Sequence, residues 1–156
     1  MARIWVDADA CPVVVRDIIV RAAVRTGVEA LFVANRLVKL PNVPGLRSVQ
    51  VPGGFDVADD HIARSVQRGD LVVTADIPLA AEVMASGAEA LSPRGEAFSR
   101  DTIRQKLNLR DFMDTMRASG VTGGGPPPLG QRERMAFANA LDRFLARMTR
   151  PAGGPP

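Results

Sequence analysis

Short apolar runs that end in aspartate set the tightest limit on how this chain can fold. RIWVD closes on Asp7, with Asp9 two residues later, and GDLVVTAD carries Asp70 at its start and Asp76 at its end. Asp56, Asp59 and Asp60 crowd a third segment, GFDVADDHIA. Apolar runs this short and rich in branched side chains suit strands buried on both faces. A charged residue at the carboxyl end of such a strand must face a cleft or a partner, because burying it alone is costly. Carboxylates brought within a few ångströms repel one another, and a cation among them relieves the repulsion. Clustered carboxylate oxygens suit a hard divalent cation, Mg²⁺ or Mn²⁺, which points toward phosphate chemistry.

The pattern between these runs supplies the rest of the fold. Arg3–Asp7 reads as a strand, Pro12 as part of a first helical turn, and Val13–Arg25 as a helix with Val14, Ile18 and Val24 inward, stopped by Gly27. Glu29–Ala34 and Arg47–Val51 read as strands, separated by a loop with two prolines. Asp56 is placed as the cap of a helix over 57–67. At about 100° per residue, Phe55, Ala58, Ile62 and Val66 face the core, Asp59 lies nearer that face, Asp60 shares a flank with Asp56, and His61 points away. Asp70–Thr74 is the clearest buried strand, followed by a helix from Pro78 to Met84 and a strand at Ala88–Leu91. Strand and helix alternate with short links, which argues for an α/β fold: a mostly parallel sheet with helices on both faces. Ligands of such sheets bind off the carboxyl ends of the strands, where Asp7 and Asp76 fall.

Beyond residue 92 the pattern changes. Ser99 is read as the cap of a helix over about 100–117, rich in Arg and Lys. The Gly/Pro-rich stretch 119–130 reads as an extended loop, and 131–148 as an amphipathic helix with Met135, Ala138, Leu141, Leu145 and Met148 on one side, packed on the α/β domain of residues 1–118. The last residues, 150–156, read as a disordered tail. The two halves differ in charge. Residues 1–92 hold nine Lys/Arg against eleven Asp/Glu, and residues 93–156 hold eleven against six. An acidic site followed by a basic half suits a polyanion, although surface arginines also serve solubility. No run of about 18 apolar residues is present, the N-terminus shows no signal-peptide pattern, and one cysteine, Cys11, excludes an intrachain disulfide. A cytoplasmic protein without membrane partners is therefore expected.

Taken singly, several acids have plainer explanations. Asp56 serves as a cap, Asp59 and Asp60 complement a helix dipole, and Asp70 is a turn residue. Asp7 and Asp76 resist such explanations. Cys11 reads as a small buried side chain, since His61, the lone histidine, faces elsewhere.

The stretch LVVTADIPLAAEVMASGAEAL resembles the PIN/NYN nuclease superfamily, and WVDADACPV, GFDVADDHIA, GDLVVTADIPLA and PRGE together resemble a narrower bacterial family of undefined function, the YaiI/YqxD type, over nearly the whole chain. The wider resemblance implies a PIN-like three-layer fold and a metal-dependent nuclease, acting on RNA before DNA. Its acids map onto Asp7, then Asp59 or Asp60, then Asp76. Asp7, Asp60 and Asp76 are expected to carry catalysis, and Asp9, Asp56 and Asp59 to complete the metal shell. Thr74, Asn35 and Arg94 are candidates to meet a carboxylate, water or phosphate, and Arg100 and Arg104, with Lys106 and Arg110, to form a strand-binding face. The fourth acid that PIN-type enzymes often carry shortly after the third is missing here, where Glu82 is the first acid after Asp76. Two alternatives stand beside this reading: a PIN-like module that binds nucleic acid or protein without catalysis, and a haloacid dehalogenase-like phosphatase using Asp7 and Asp9. The phosphatase would need a later Lys and an acidic pair on a strand, and Lys106 is the only Lys after Thr74.

Overall fold

The computed structural model describes residues 2–54, 56–108 and 129–148. Five strands, β1 (Arg3–Asp7), β2 (Glu29–Ala34), β3 (Leu46–Gln50), β4 (Leu71–Val73) and β5 (Glu89–Leu91), form one sheet in the order β3-β2-β1-β4-β5. Every neighbouring pair is parallel. The helices are α1 (Val13–Thr26), α2 (Val57–Ser65), α3 (Ile77–Ala85), α4 over 100–108, and α5 (Gln131–Met148). The result is a Rossmann-like three-layer α/β fold.

The central strands explain the arrangement. Ile4 and Val6 of β1 and Val73 of β4 enter one core with Val15, Ile19, Phe137 and Leu141 from α1 and α5. Trp5 and Val72 enter the opposite core with Ile62, Leu79 and Val83 from α2 and α3. Alternate side chains of one strand thus serve two layers, which is why these strands are apolar throughout. The sheet order reverses at β1, which lies between β2 and β4. Strand carboxyl ends at such a reversal leave a crevice, because the following helices depart to opposite faces.

Burial corrects the helix faces expected from the sequence. On α1 the inward residues are Val15, Ile19, Ala22 and Ala23, while Val14 and Val24 are exposed and Ile18 is half-buried. Valines occur all round this helix, so hydrophobicity alone does not mark its face. On α5 the buried set is Phe137, Ala140, Leu141, Phe144 and Leu145, and Met135 is 55% exposed. The two phenylalanines, each worth about 1.5–3 kcal/mol when buried, set the rotation. Pro12 stands one residue before α1. Helix α2 stops at Ser65, because Val66 turns extended and is drawn into the core. Ser99 caps α4 as expected, its hydroxyl accepting the Thr102 N–H at 3.2 Å. Phe55, Arg110, the end of the 100–117 helix, nearly all of the 119–130 loop and the 150–156 tail lie outside the described residues.

Asp70 does more than close a turn. Its backbone N–H donates to the Gln67 carbonyl at 3.0 Å, but its carboxylate is only 1% exposed. That carboxylate accepts from the Arg3 N–H (3.0 Å), Trp5 Nε1 (3.0 Å) and the Gln67 N–H (2.9 Å). It joins the starts of β1 and β4, at the edge opposite Asp7 and Asp76. Asp70→Ala would take the partner from one buried donor, Trp5 Nε1, and from two part-buried backbone N–H groups. We expect a loss of about 3 kcal/mol or more in urea-unfolding stability.

Candidate functional site

The acids converge where β1 and β4 end. Asp7 is the last residue of β1 and is 7% exposed. Thr74, just past β4 and 1% exposed, donates its hydroxyl to Asp7 Oδ2 at 3.1 Å. The Thr74 hydroxyl oxygen in turn accepts the Asp76 N–H at 3.0 Å. Asp76 in turn caps α3, its Oδ1 accepting the Leu79 N–H at 2.8 Å. A single threonine therefore ties the first acid to the backbone of the last. Pro78 in the first turn of α3 requires no N–H partner, which leaves the cap to a single side chain.

The middle segment delivers its acids from α2. Asp59 is half-buried and lines the same cavity as Asp76. Burial and then the charges of Asp7, Asp76 and Asp56 push the Asp59 carboxyl up to about 7. Burial first, and then the charges of Asp76 and Asp9, also raise Asp7, against the opposing hydrogen bond from Thr74. Asp56, Asp59, Asp60 and Asp76 line one cavity of about 360 Å³, together with Glu82 from α3. Asp60 is exposed on its rim, so Asp59 is the α2 acid that meets Asp76.

Asp56 occupies the cap position of α2 but makes no side-chain capping bond, contrary to the expected role. Its φ of +63° places it in the left-handed region, the one non-glycine residue there among those described. Asp9 accepts the Asn35 N–H at 2.8 Å and so ties the turn after β1 to the end of β2.

The remaining candidates divide by location. Arg94 lines a neighbouring cleft. Arg100 and Arg104 flank a groove between α4 and α3, separate from the carboxylates. Lys106 ion-pairs with Glu96 at 2.6 Å. His61 lies against Trp5, with ring centroids 6.2 Å apart. Burial pushes the Cys11 thiol up to about 12, which suits an inert side chain. Glu82, the first acid after Asp76 in the chain, also belongs to this cavity. One and a half turns of α3 return it to the cavity that holds Asp76, and that helical spacing was the available signal.

Among the described residues, no three His, Cys, Asp or Glu side chains already stand as a metal cage. The donor set nevertheless fits a hard divalent cation in kind: all oxygen, several carboxylates and, among the described residues lining the acid cavity, no basic side chain.

The model of the uncharacterised YaiI/YqxD family matches residues 5–147. The chain belongs to this family. It is 63% identical over 145 residues to a UPF0178 protein of Thioalkalivibrio sulfidiphilus, covering 93% of this chain and 99% of that one. It is 62% identical over 152 residues to a UPF0178 protein of Halorhodospira halophila, covering 97% and 99%. A UPF0178 protein of Chromobacterium violaceum is 61% identical over 144 residues, covering 92% and 98%. No solved structure matches. No helix among the described residues is long and apolar enough to cross a membrane.

The raised acids fix a pH dependence. Between the ordinary value of 3.8 and about 7, folded Asp59 holds a proton that the unfolded chain has released. Stability must then fall as pH rises through that window and stay low above it, and Asp7 adds the same sign. In chelator, the melting temperature of Asp59→Asn should overtake that of the wild type as pH rises from about 5 to about 8. A constant difference across that range would mean that neither burial nor the neighbouring acids raise the Asp59 carboxyl.

Proposed function

We propose that this protein is a metal-dependent phosphodiesterase acting on nucleic acid, RNA before DNA. The observation that carries the reading is the coupling of Asp7, Asp59 and Asp76 where the sheet order reverses. Three acids from three distant segments meet there, two of them with carboxyl groups raised by burial and by one another's charge. The motif likeness to PIN-type nucleases supports the same acids in the same order.

Asp7, Asp59 and Asp76 would hold Mg²⁺ or Mn²⁺, with Asp56, Asp60 and Glu82 on the surrounding wall and Asp9 behind Asp7. A cation bound there lowers the pKa of a water and offsets charge on a phosphate. The chain's own groups prepare that site. Thr74 fixes the rotation of Asp7, and the Leu79 N–H fixes Asp76. The phosphate backbone is the expected point of contact. Aromatic residues make up only 4% of the chain and there is no tyrosine, so a broad stacking platform is not available. The excess of positive charge after residue 92 supports a polyanionic substrate.

The test combines calorimetry with cleavage. Mn²⁺ should bind the wild type, and Asp7→Asn and Asp76→Asn should each abolish the binding heat. Cleavage of a labelled single-stranded RNA should require the metal, fall about a hundredfold or more in both variants, and weaken as salt is raised. Metal binding without cleavage of RNA or DNA would leave a non-catalytic binding module. Absence of metal binding would remove both readings.

A further inference from the structure

Across the Ala75–Ile77 turn from the acid cavity lies a second cleft of about 470 Å³. The two share a wall. Asp76 faces the acids, whereas Ala75 and Ile77 on either side of it line the cleft. Ala10 and Pro12, which follow directly on Asp7 and Asp9, form another part of its boundary. Its chemistry is the opposite of its neighbour's. Among the described residues, Pro12, Ile77 and Phe98 give it an apolar lining, and Arg94, Lys106 and Glu96 are its charged members.

This cleft has a built frame. Ser92 Oγ accepts the N–H groups of Arg94 and Glu96 at 3.2 and 3.1 Å, which folds the turn after β5. Gly95 in that turn has φ +90° and approaches α5 so closely that a Cβ would stand 2.5 Å from the backbone of Ala136 and Phe137. Lys106 is held by its pair with Glu96 and lies 6.0 Å from the Phe98 ring centroid. A ligand that reaches from the acids into this cleft needs an anionic group at the shared wall and an apolar body beyond it. The volume falls within the range of small-molecule sites, about 300–1,000 Å³, and takes one nucleotide rather than a stacked pair.

We propose that the cleft receives the nucleoside of the nucleotide whose phosphate meets the carboxylates. The substrate is then a single strand or a strand end, from which one unstacked nucleotide can enter. The apolar lining takes the base and sugar, beside Lys106 and Arg94 on the cleft's side of the shared wall. This rests on the phosphodiesterase reading above, but binding in the cleft is measurable without catalysis.

The probes are uridine 5′-monophosphate and ribose 5-phosphate, titrated into the full chain and followed by amide chemical shifts and calorimetry, with Mn²⁺ and with chelator. Uridine 5′-monophosphate should shift the amide signals of Ala75 and Phe98. Ribose 5-phosphate should bind about tenfold more weakly or worse, since it lacks the base. Ala75→Trp, at an exposed position on the cleft wall, and Lys106→Glu should each weaken the nucleotide about tenfold while the Mn²⁺ binding heat persists. Equal binding of the two probes, or nucleotide binding untouched by both substitutions, would overturn the assignment. RNA cleavage by a protein whose cleft ignores the nucleotide would refute the cleft and keep the hydrolase. Nucleotide binding in the cleft without Mn²⁺ binding or cleavage would do the reverse.

Discussion

Mutual repulsion among carboxylates is the constraint around which this fold is organised. Parallel pairing of β1 with β4 brings the ends of two strands together, and each strand delivers an acid there. Helix α2 adds a third from the opposite layer. A fold gains nothing from such a meeting by itself, since burial and like charge both disfavour ionised acids. The surrounding bonds therefore matter: Thr74 to Asp7 and Leu79 to Asp76. They hold the acids in fixed positions that the unaided side chains would leave.

Asp70 offers the contrast within the same pair of strands. At the amino-terminal edge one carboxylate meets three donors and is satisfied. At the carboxyl-terminal edge Asp7 and Asp76 each accept a hydrogen bond, from Thr74 and from Leu79, and stand among other acids. The first arrangement secures the sheet, and the second stores electrostatic potential where a ligand can reach it. The same residue type thus takes opposite roles at opposite ends of β1 and β4.

Much of this was legible in the chain. Strand ends coincided with apolar runs closed by polar residues, so β1 and β2 were readable to the residue. Short strand–helix links implied parallel pairing and hence an acidic edge. Helix rotation was less legible. On α1 the valines at 13, 14, 15, 20 and 24 point in several directions, and contact with α5 and the sheet selects Val15 and the small Ala22 and Ala23. The choice between Asp59 and Asp60 turned on a single helical step. The depth of Asp70 had no local signal, because its partners Arg3 and Trp5 lie more than sixty residues earlier. Glu82 was obscured by linear distance from Asp76, which a helix shortens.

Asp56 bears on how such a site persists. A left-handed backbone at a branched-Cβ-free but bulky residue costs on the order of 1 kcal/mol, which glycine would avoid. The conformation also forgoes the cap that aspartate commonly provides at a helix start. What it retains is one more negative charge beside Asp59. Selection for durability alone would replace this residue with glycine, quieting the acidic rim. A sequence that keeps aspartate here trades thermal robustness for the electrostatic pull of its crevice.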